Sequence, residues 1–321
     1  MISSLELAAL CGVSQGTVDR ALHGRTGISA ATRERILAAA EAHGYRPNPA
    51  ARELMGRTPS KAVGVAVPAS TLQQPFFLDL FANLAKHLHA EGLHPSIWVA
   101  ADDSAGVSAT VEAMAARRLR ALVLIGPPMG LHIAPSILKA QPVLSLMLPC
   151  AQSEVRLVGA DEHGFGRVAT EHLIALGHRR IVHLMGDKAL HAVRVGRRDG
   201  YLAAMAAAGL EPRVWPLTAD APDLVERLKA DGITGIFCHH DPMAVAVQRR
   251  LAAAGVSVPG AISLVSIDAS PVLAAYDLGI SSVPYPYEGL AQQAADILAG
   301  RPARALPVPT VRPGRTSAPV R

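Results

Sequence analysis

The chain has 321 residues, half of them apolar and 18% charged, with a formal net charge of +5 and a pI near 9.4. That length exceeds one ordinary domain, and that apolar fraction supports a sizeable core and excludes a disordered chain, while the modest positive charge suits either a polyanionic partner or plain solubility. Cys11, Cys150 and Cys238 lie far apart with no C-x-x-C pair, which argues against a zinc site and for reduced thiols in a cytoplasm; with no export signal and no apolar run of about 20 residues, neither secretion nor a membrane span is expected.

The first sixty residues read as short helices. Leu5, Leu7, Ala8 and Leu10 form one helical face, Cys11-Gly12-Val13 breaks it, and Ser14 opens a second run holding Val18, Ala21 and Leu22. Ser3 with Glu6 makes a capping box, Ser14 caps the second helix, and Ser29 caps a third through Ile36, Leu37 and Ala40 to Gly44. Two short helices joined by a glycine-containing turn fit a helix-turn-helix, and the polar positions of the second helix suit contact with base edges and phosphates. Ser14, Gln15, Gly16, Thr17 and Arg20 are therefore the candidate DNA contacts. A three-helix bundle that binds protein is the blander alternative. Gly12 to Gly16 also satisfies G-x-S-x-G, but a nucleophile elbow needs a strand before the serine, and Leu5 to Leu10 is helical.

Asn48 and Pro49 can start a further helix of under two turns through Arg52, Leu54 and Met55, ended by Gly56, Pro59 and Ser60. So short a helix is unstable alone in water, which makes it a hinge that forms only against a partner; an interdomain linker with an incidental leucine is the alternative.

From Lys61 onward, strands and helices alternate. The pattern predicts strands at Ala62 to Val67, Ser96 to Ala100, Ala121 to Ile125 and Val143 to Met147. A second series follows at Leu157 to Gly159, Ile181 to Met185, Val214 to Leu217, Gly235 to Cys238 and Leu264 to Ile267. A helix over Gly289 to Leu298 and a strand around Val308 to Val311 close the chain. Two such series predict a two-lobed α/β body with parallel sheets covered on both faces.

These strings resemble the lactose-repressor and purine-repressor family. The match is carried by V-S-Q-G-T-V-D-R-A-L-H-G at Val13 to Gly24, by Thr32 to Pro49, and by A-R-E-L at Ala51 to Leu54. In the body it continues through T-E-H-L-I-A-L-G-H-R-R-I at Thr170 to Ile181, R-x-x-G-Y at Arg197 to Tyr201, V-P-G-A-I-S-L-V-S-I-D at Val258 to Asp268 and R-T-S at Arg315 to Ser317. The resemblance implies a small all-α helix-turn-helix head over 1–46, a hinge helix and linker over 47–60, and a periplasmic-binding-protein-like effector-binding and dimerisation domain over 61–321. It also implies crossovers near 158–161, 281–285 and close to the end, with the last elements returning to the first lobe. Leu54 is then the wedge that enters a minor-groove step, with Arg52 on the backbone. Asp19 departs from the family's usual serine, and a carboxylate near phosphate is unfavourable unless it accepts from a cytosine amino group or pairs with Arg20.

Ligands of open parallel sheets bind beyond the carboxyl ends of the strands. That rule, with the resemblance, selects Phe76, Asp161, Arg197, His240, Asp268 and Tyr285 as effector contacts. Phe77 reads as core, and Asp241 as a cap for the helix beginning at Pro242. Carboxylates and an Arg fork can hold several hydroxyls while rings cover an apolar sugar face, so a sugar or sugar derivative is the favoured effector. His240 stands where the family commonly has asparagine, and Glu162-His163 where it has asparagine plus an aromatic.

The expected protein is a dimeric, ligand-responsive repressor of a palindromic double-stranded DNA operator, with no cofactor, no metal and no catalytic residues. The competing class is a nucleotide-binding α/β enzyme with an accessory DNA-binding head. It rests on G-x-G-x-x-A at Gly164 to Ala169, with Asp187 about 20 residues on, and is weakened by the short preceding strand and by Asp161-Glu162 beside any pyrophosphate.

Overall fold

The computed structural model describes residues 2–46, 60–186, 192–216, 221–271 and 278–320. The expected hinge, with Arg52 and Leu54, lies outside the described residues, as does Asp187. The chain divides into two compact units at Ser60 and Lys61.

The first unit holds α1 (Ser4–Leu10), α2 (Gln15–Leu22) and α3 (Ala30–Ala42). All three expected N-caps form: the Ser3 and Glu6 side chains exchange hydrogen bonds with each other's backbone N–H, and Ser14 and Ser29 accept from Thr17 N and Thr32 N. Gly12 turns the chain between α1 and α2 at φ +60°, a conformation glycine adopts without cost. Leu7, Ala8, Val18, Ala21, Ile36 and Ala40 make the core of this unit. Leu5 and Leu10, expected on the inner face of α1, are exposed. At 100° per residue the buried arc runs through Leu7, Ala8 and Cys11, and Leu5 and Leu10 fall on either side of it.

The second unit contains two five-stranded, all-parallel sheets. The first runs in the order β2-β1-β3-β4-β5, from β1 (Ala62–Pro68), β2 (His94–Ala100), β3 (Ala121–Ile125), β4 (Val143–Leu146) and β5 (Arg156–Val158). The second runs β10-β9-β8-β6-β7, from β6 (Ile181–Leu184), β7 (Arg213–Trp215), β8 (Gly235–Cys238), β9 (Ser263–Asp268) and β10 (Ser281–Pro284). β1, β3 and β8 are buried along nearly their whole length, as strands covered by helices on both faces must be. In each sheet the order reverses beside the first strand, between β1 and β3 and between β6 and β8. Such a switch point leaves a crevice outside the strand ends.

Three expectations change. The segment at 157–159, expected to open the second series, closes the first sheet as β5. Ser281–Pro284, expected only as a crossover, pairs with β9 in the second sheet. No strand forms at Val308 to Val311; the terminal segment instead makes a single antiparallel bridge from Arg312 to Ser282, and Leu264 N donates to Thr316 O at 2.7 Å. The last stretch thus joins the second lobe and not the first. The last helix, Tyr287–Leu298, does pack in the first lobe, against Pro75–Ala90.

Two helices of the second lobe position the site. Glu162–Ala175 and Ala192–Ala207 approach so closely that a Cβ on Gly166 or Gly200 would collide with the carbonyl oxygen of Arg197 or His163. A Cβ on Gly196 would lie 2.6 Å from that of Glu162. Glycines at these positions bring Glu162 and Arg197 together.

Candidate DNA-reading helix and effector cleft

In the first unit, the exposed first turn of α2 carries Ser14, Gln15 and Gly16, with Thr17 half-buried behind them. Ser14 Oγ and Thr17 Oγ1 share a hydrogen bond of 2.9 Å, and Gln15 Nε2 donates to Ser4 Oγ at 2.6 Å, which ties the reading turn to α1. Gly16 presents no side chain, and Arg20 folds back beside it, Nε donating to Gly16 O at 3.2 Å. The Arg20 guanidinium therefore stands at the front of the helix, where a bidentate contact to guanine is within its chemistry. Of the two ways the sequence left for Asp19 to be tolerated, pairing with Arg20 is not the one formed. Its carboxylate meets Arg25 Nη1 and His23 Nδ1, each at 3.3 Å. Arg25, in the loop after α2, offsets its charge.

In the second unit, the carboxyl ends of the two sheets face a cleft of about 460 Å³. Phe76, Arg197, His240 and Asp268 line it, as expected. Asp161 and Tyr285 do not lie among its lining residues. Asp161 instead caps the helix that follows, accepting from Gly164 N at 2.8 Å. Tyr285 is 5% exposed and works one layer deeper: its hydroxyl donates to Glu162 Oε1 at 2.5 Å, and its ring lies 5.6 Å from the Arg197 guanidinium. Its neighbour Tyr287 reaches the cleft, stacked on Phe76 with ring centroids 6.3 Å apart.

Arg197 is the best-anchored of these groups. Its Nε donates to Glu162 Oε2 at 2.8 Å and its Nη1 to His239 O at 2.6 Å, with only 3% of the residue exposed. Burial alone would lower its pKa, but the Glu162 and Asp268 carboxyls beside it outweigh that and hold it above its ordinary value. Asp268 sits at the end of β9 with φ +125°, followed by Ala269 at φ +48°, so a left-handed turn aims it at the cleft. Burial pushes its carboxyl up to about 7, against the pull of Arg197, and Tyr287 OH donates to it at 3.1 Å.

His240, not Asp241, caps the helix Asp241–Ala253, its Nδ1 accepting from Met243 N at 3.1 Å. Asp241 is buried and serves a serine cluster instead, accepting from Ser266 Oγ, from Ser282 Oγ at 2.7 Å and from Ser270 N at 3.2 Å. Ser270 Oγ in turn donates to Asp79 Oδ2 at 2.7 Å, linking the second lobe to the helix Pro75–Ala90 of the first.

Several lining residues escaped the sequence reading. Arg194, one turn before Arg197, shares its face of the helix and donates to Met185 O. The i, i+3 spacing was the available signal. His239 directly follows β8, as the strand-end rule requires. Burial, reinforced by Arg197, holds its imidazole well below the ordinary value, and burial takes His183 behind it down to about 3, so both rings are neutral at pH 7. Pro127, Pro128 and Met129 after β3, and Met147 and Leu148 after β4, complete the first-lobe wall by the same rule.

Gly166 serves helix packing, Gly164 makes room for the Asp161 cap, and Asp161 occupies the helix N-terminus where a pyrophosphate would have to sit. The dinucleotide reading loses its motif.

Residues 5–48 match the family described as bacterial regulatory proteins, lacI family, and residues 170–317 match the periplasmic binding protein-like domain. The chain is 30% identical over 317 residues to the HTH-type transcriptional regulator CelR of Thermobifida fusca, covering 92% of this chain and 90% of that protein. It is 28% identical to the HTH-type transcriptional regulator GalR of Escherichia coli K12, over 92% of this chain and 88% of that one. Among solved structures, it superposes on a transcriptional regulator CelR–cellobiose complex with a TM-score of 0.69, at 26% identity and over 99% of this chain and 100% of that one. It also superposes on the lac repressor dimer bound to operator and the anti-inducer ONPF with a TM-score of 0.81. That match is 23% identical and covers 99% of both chains, a likeness of fold.

Proposed function

From the premise that the chain belongs to the lacI family of bacterial regulatory proteins, which its similarity to CelR along nearly its whole length establishes, we infer that it is a ligand-responsive repressor of transcription. Residues 1–46 read DNA, 47–60 couple, and 61–321 bind effector and dimerise. One head offers few base contacts, chiefly from Gln15 and Arg20, so specific binding requires two heads on a palindromic operator and a two-fold symmetric dimer. The effector is a sugar or sugar derivative held by Arg197, Asp268, His240 and Phe76. This is a cytoplasmic binding protein and not an enzyme, a reading supported by regulators of transcription among its relatives.

The mechanism follows from linkage. A ligand that contacts both walls of the cleft binds the closed body better than the open one, shifts the lobes toward closure, and so changes operator affinity; DNA must change ligand affinity by the same factor. The observation that carries the reading is the junction of two features in one chain: a capped α2 with Arg20 at its front, and a two-sheet cleft with a buried, oriented guanidinium.

Selection of bound duplexes from a random pool by the purified chain tests it. The expected product is a site with two-fold symmetry whose affinity changes when a sugar such as cellobiose or galactose occupies the body. Recovery of no consensus, with attachment that depends on salt alone, overturns the reading.

A further inference from the structure

The face of α2 that carries the expected base contacts also carries an acid. At about 100° per residue, Arg20 lies about 40° to one side of Gly16, and Asp19 and Gln15 lie about 60° and about 100° to the other. Asp19 therefore falls inside the arc bounded by Gln15 and Arg20, while Val18 and Ala21, on the far side of the helix, are buried. A duplex that meets both ends of that arc meets the carboxylate between them. Asp19 is the only acidic residue of α2, and DNA phosphates repel it, so its place on this face calls for a partner.

Its neighbours balance the charge and leave acceptor sites open. Arg20 is turned elsewhere: its Nε donates to Gly16 O at 3.2 Å, and a Cβ on Gly16 or Gly27 would stand 3.6 or 3.7 Å from one of its Nη atoms. Arg25 Nη1 donates to Asp19 Oδ2 at 3.3 Å, a long bond from a side chain that is 57% exposed. Arg33 Nη2 donates to Arg25 O, which fastens the loop between α2 and α3 in that position. His23 Nδ1 lies 3.3 Å from Asp19 Oδ1 and closer, 2.8 Å, to Asp19 O. An ionised carboxylate has about four lone-pair sites and no proton to give. The bond from Arg25 leaves room for a donor approaching from the duplex.

Base edges in the major groove differ in what they offer such a group. Guanine presents acceptors, thymine an acceptor and a methyl group, adenine an acceptor beside its amino donor, and cytosine only the N4 amino donor. A carboxylate is repelled by the first two, gains and loses at the third, and is matched by the fourth. We propose that Asp19 is a base-reading residue: it accepts from the N4 amino group of one cytosine in each half-site and, by repulsion, keeps guanine and thymine out of that place. Arg25 supplies the counter-charge that lets a carboxylate approach the duplex. Specificity of this kind comes as much from the bases excluded as from the bond made. The inference rests on the regulator reading and goes beyond it in naming a base that the operator must contain.

Duplex selection with the full chain, run for the wild type, Asp19→Asn and Asp19→Ser, tests it. The wild type is expected to recover a symmetric site with a cytosine in each half that direct titration shows to be preferred over the other three bases by at least about fivefold. Asp19→Asn should exchange that cytosine for adenine, whose N7 and N6 an amide meets with a donor and an acceptor, and Asp19→Ser should lower the preference there to below about threefold. A second measurement keeps the protein unaltered. With N4-methylcytosine at that place, which retains its pairing but loses the donor in the groove, the wild type should bind at least about fivefold more weakly and Asp19→Ser less than about threefold more weakly. Identical base preferences in all three chains, a loss of the same size on every duplex from either substitution, or equal sensitivity of wild type and Asp19→Ser to the methyl group overturns the proposal and leaves Asp19 as a brace for the loop of Arg25. Recovery of no symmetric site overturns the regulator reading and this inference with it, whereas a symmetric site without an Asp19-dependent cytosine sinks this inference alone.

Discussion

At Asp268 the surroundings and the charge are in conflict. Its carboxyl is held up to about 7 by burial, so between about pH 4 and pH 7 the folded chain keeps a proton that the unfolded chain has lost. The associated stability is fully present below the unfolded value and is lost as pH rises through 7. His183, lowered to about 3, works the other way: its contribution is present above its unfolded value of 6.5 and is lost as pH falls toward 3. The two windows overlap, and the wild-type profile mixes them. Asp268→Asn separates them, because only the Asp268 part disappears. Thermal unfolding of the variant at pH 5 and pH 8 should show a loss of Tm toward alkaline pH smaller than that of the wild type by more than about 3 °C, and superimposable profiles would refute the placement of the carboxyl. Legibility at this scale followed the strand-end rule. Asp268 and His240 stand at or just past strand ends, Arg197 on a motif and Phe76 at the start of the first helix after β1, and all four line the cleft. Tyr285 and Asp161 satisfy the same rule yet miss the cleft: Tyr285 faces inward, because one residue of displacement along an extended segment reverses the side chain, and Asp161 is exposed and turned back to cap the helix that follows it.

Among the elements, α2 and the glycine-packed helix pair make the sharpest demands. With Gly16 bare and the Gln15 amide donating to Ser4, Arg20 carries the larger share of the base reading proposed for α2. Arg20→Ala should reduce affinity for the selected duplex by about 5- to 150-fold, the range of one bidentate base contact, while leaving binding to random duplex within about threefold. Equal losses on both duplexes would demote Arg20 to a phosphate contact. In the helix pair, Gly166→Ala places a methyl against the Arg197 carbonyl. The expected cost is about 1–3 kcal/mol by urea unfolding, together with weaker ligand binding, because the backbone that must yield carries Arg197. Gly159→Ala is the control: its new methyl meets only Leu157 side-chain atoms, 3.5 Å away, and should cost under about 1 kcal/mol. A Gly166→Ala chain as stable as that control would disprove the close approach. Element type was legible wherever caps or apolar runs were long, as in α2 or β3. Sheet membership was not. Arg156–Val158 has three residues, two of them exposed, and no period can say which sheet such a fragment edges. Ser281–Pro284 is an edge strand beside β9 with a single bridge to Arg312 on its other side, and Val308 is 78% exposed, so apolar character misled in both directions.

For the molecule as a whole, the two-lobed plan was visible in the sequence as two strand series, and the crossovers were visible only through family resemblance. The first-lobe wall of the cleft escaped the reading although Met129 and Met147 follow strands, because they sit in loops whose facing is set by tertiary packing. One bond closes the circuit between these scales. Ser270, which donates to Asp79 of the first lobe, stands two residues after Asp268, which faces the cleft, on one left-handed turn. Ser270→Ala removes the Asp79 contact without touching the pocket, and should change how far a bound sugar effector shifts operator affinity while altering ligand affinity of the DNA-free chain by less than about threefold; an unchanged shift would make the bond ornamental. A turn that holds both a cargo hook and a mooring line makes them neighbours: Asp268 and Ser270 lie within about seven ångströms of backbone, roughly two residues of extended chain, so a displacement of the turn by a ligand at Asp268 reaches the bond that ties the second lobe to Asp79 of the first directly.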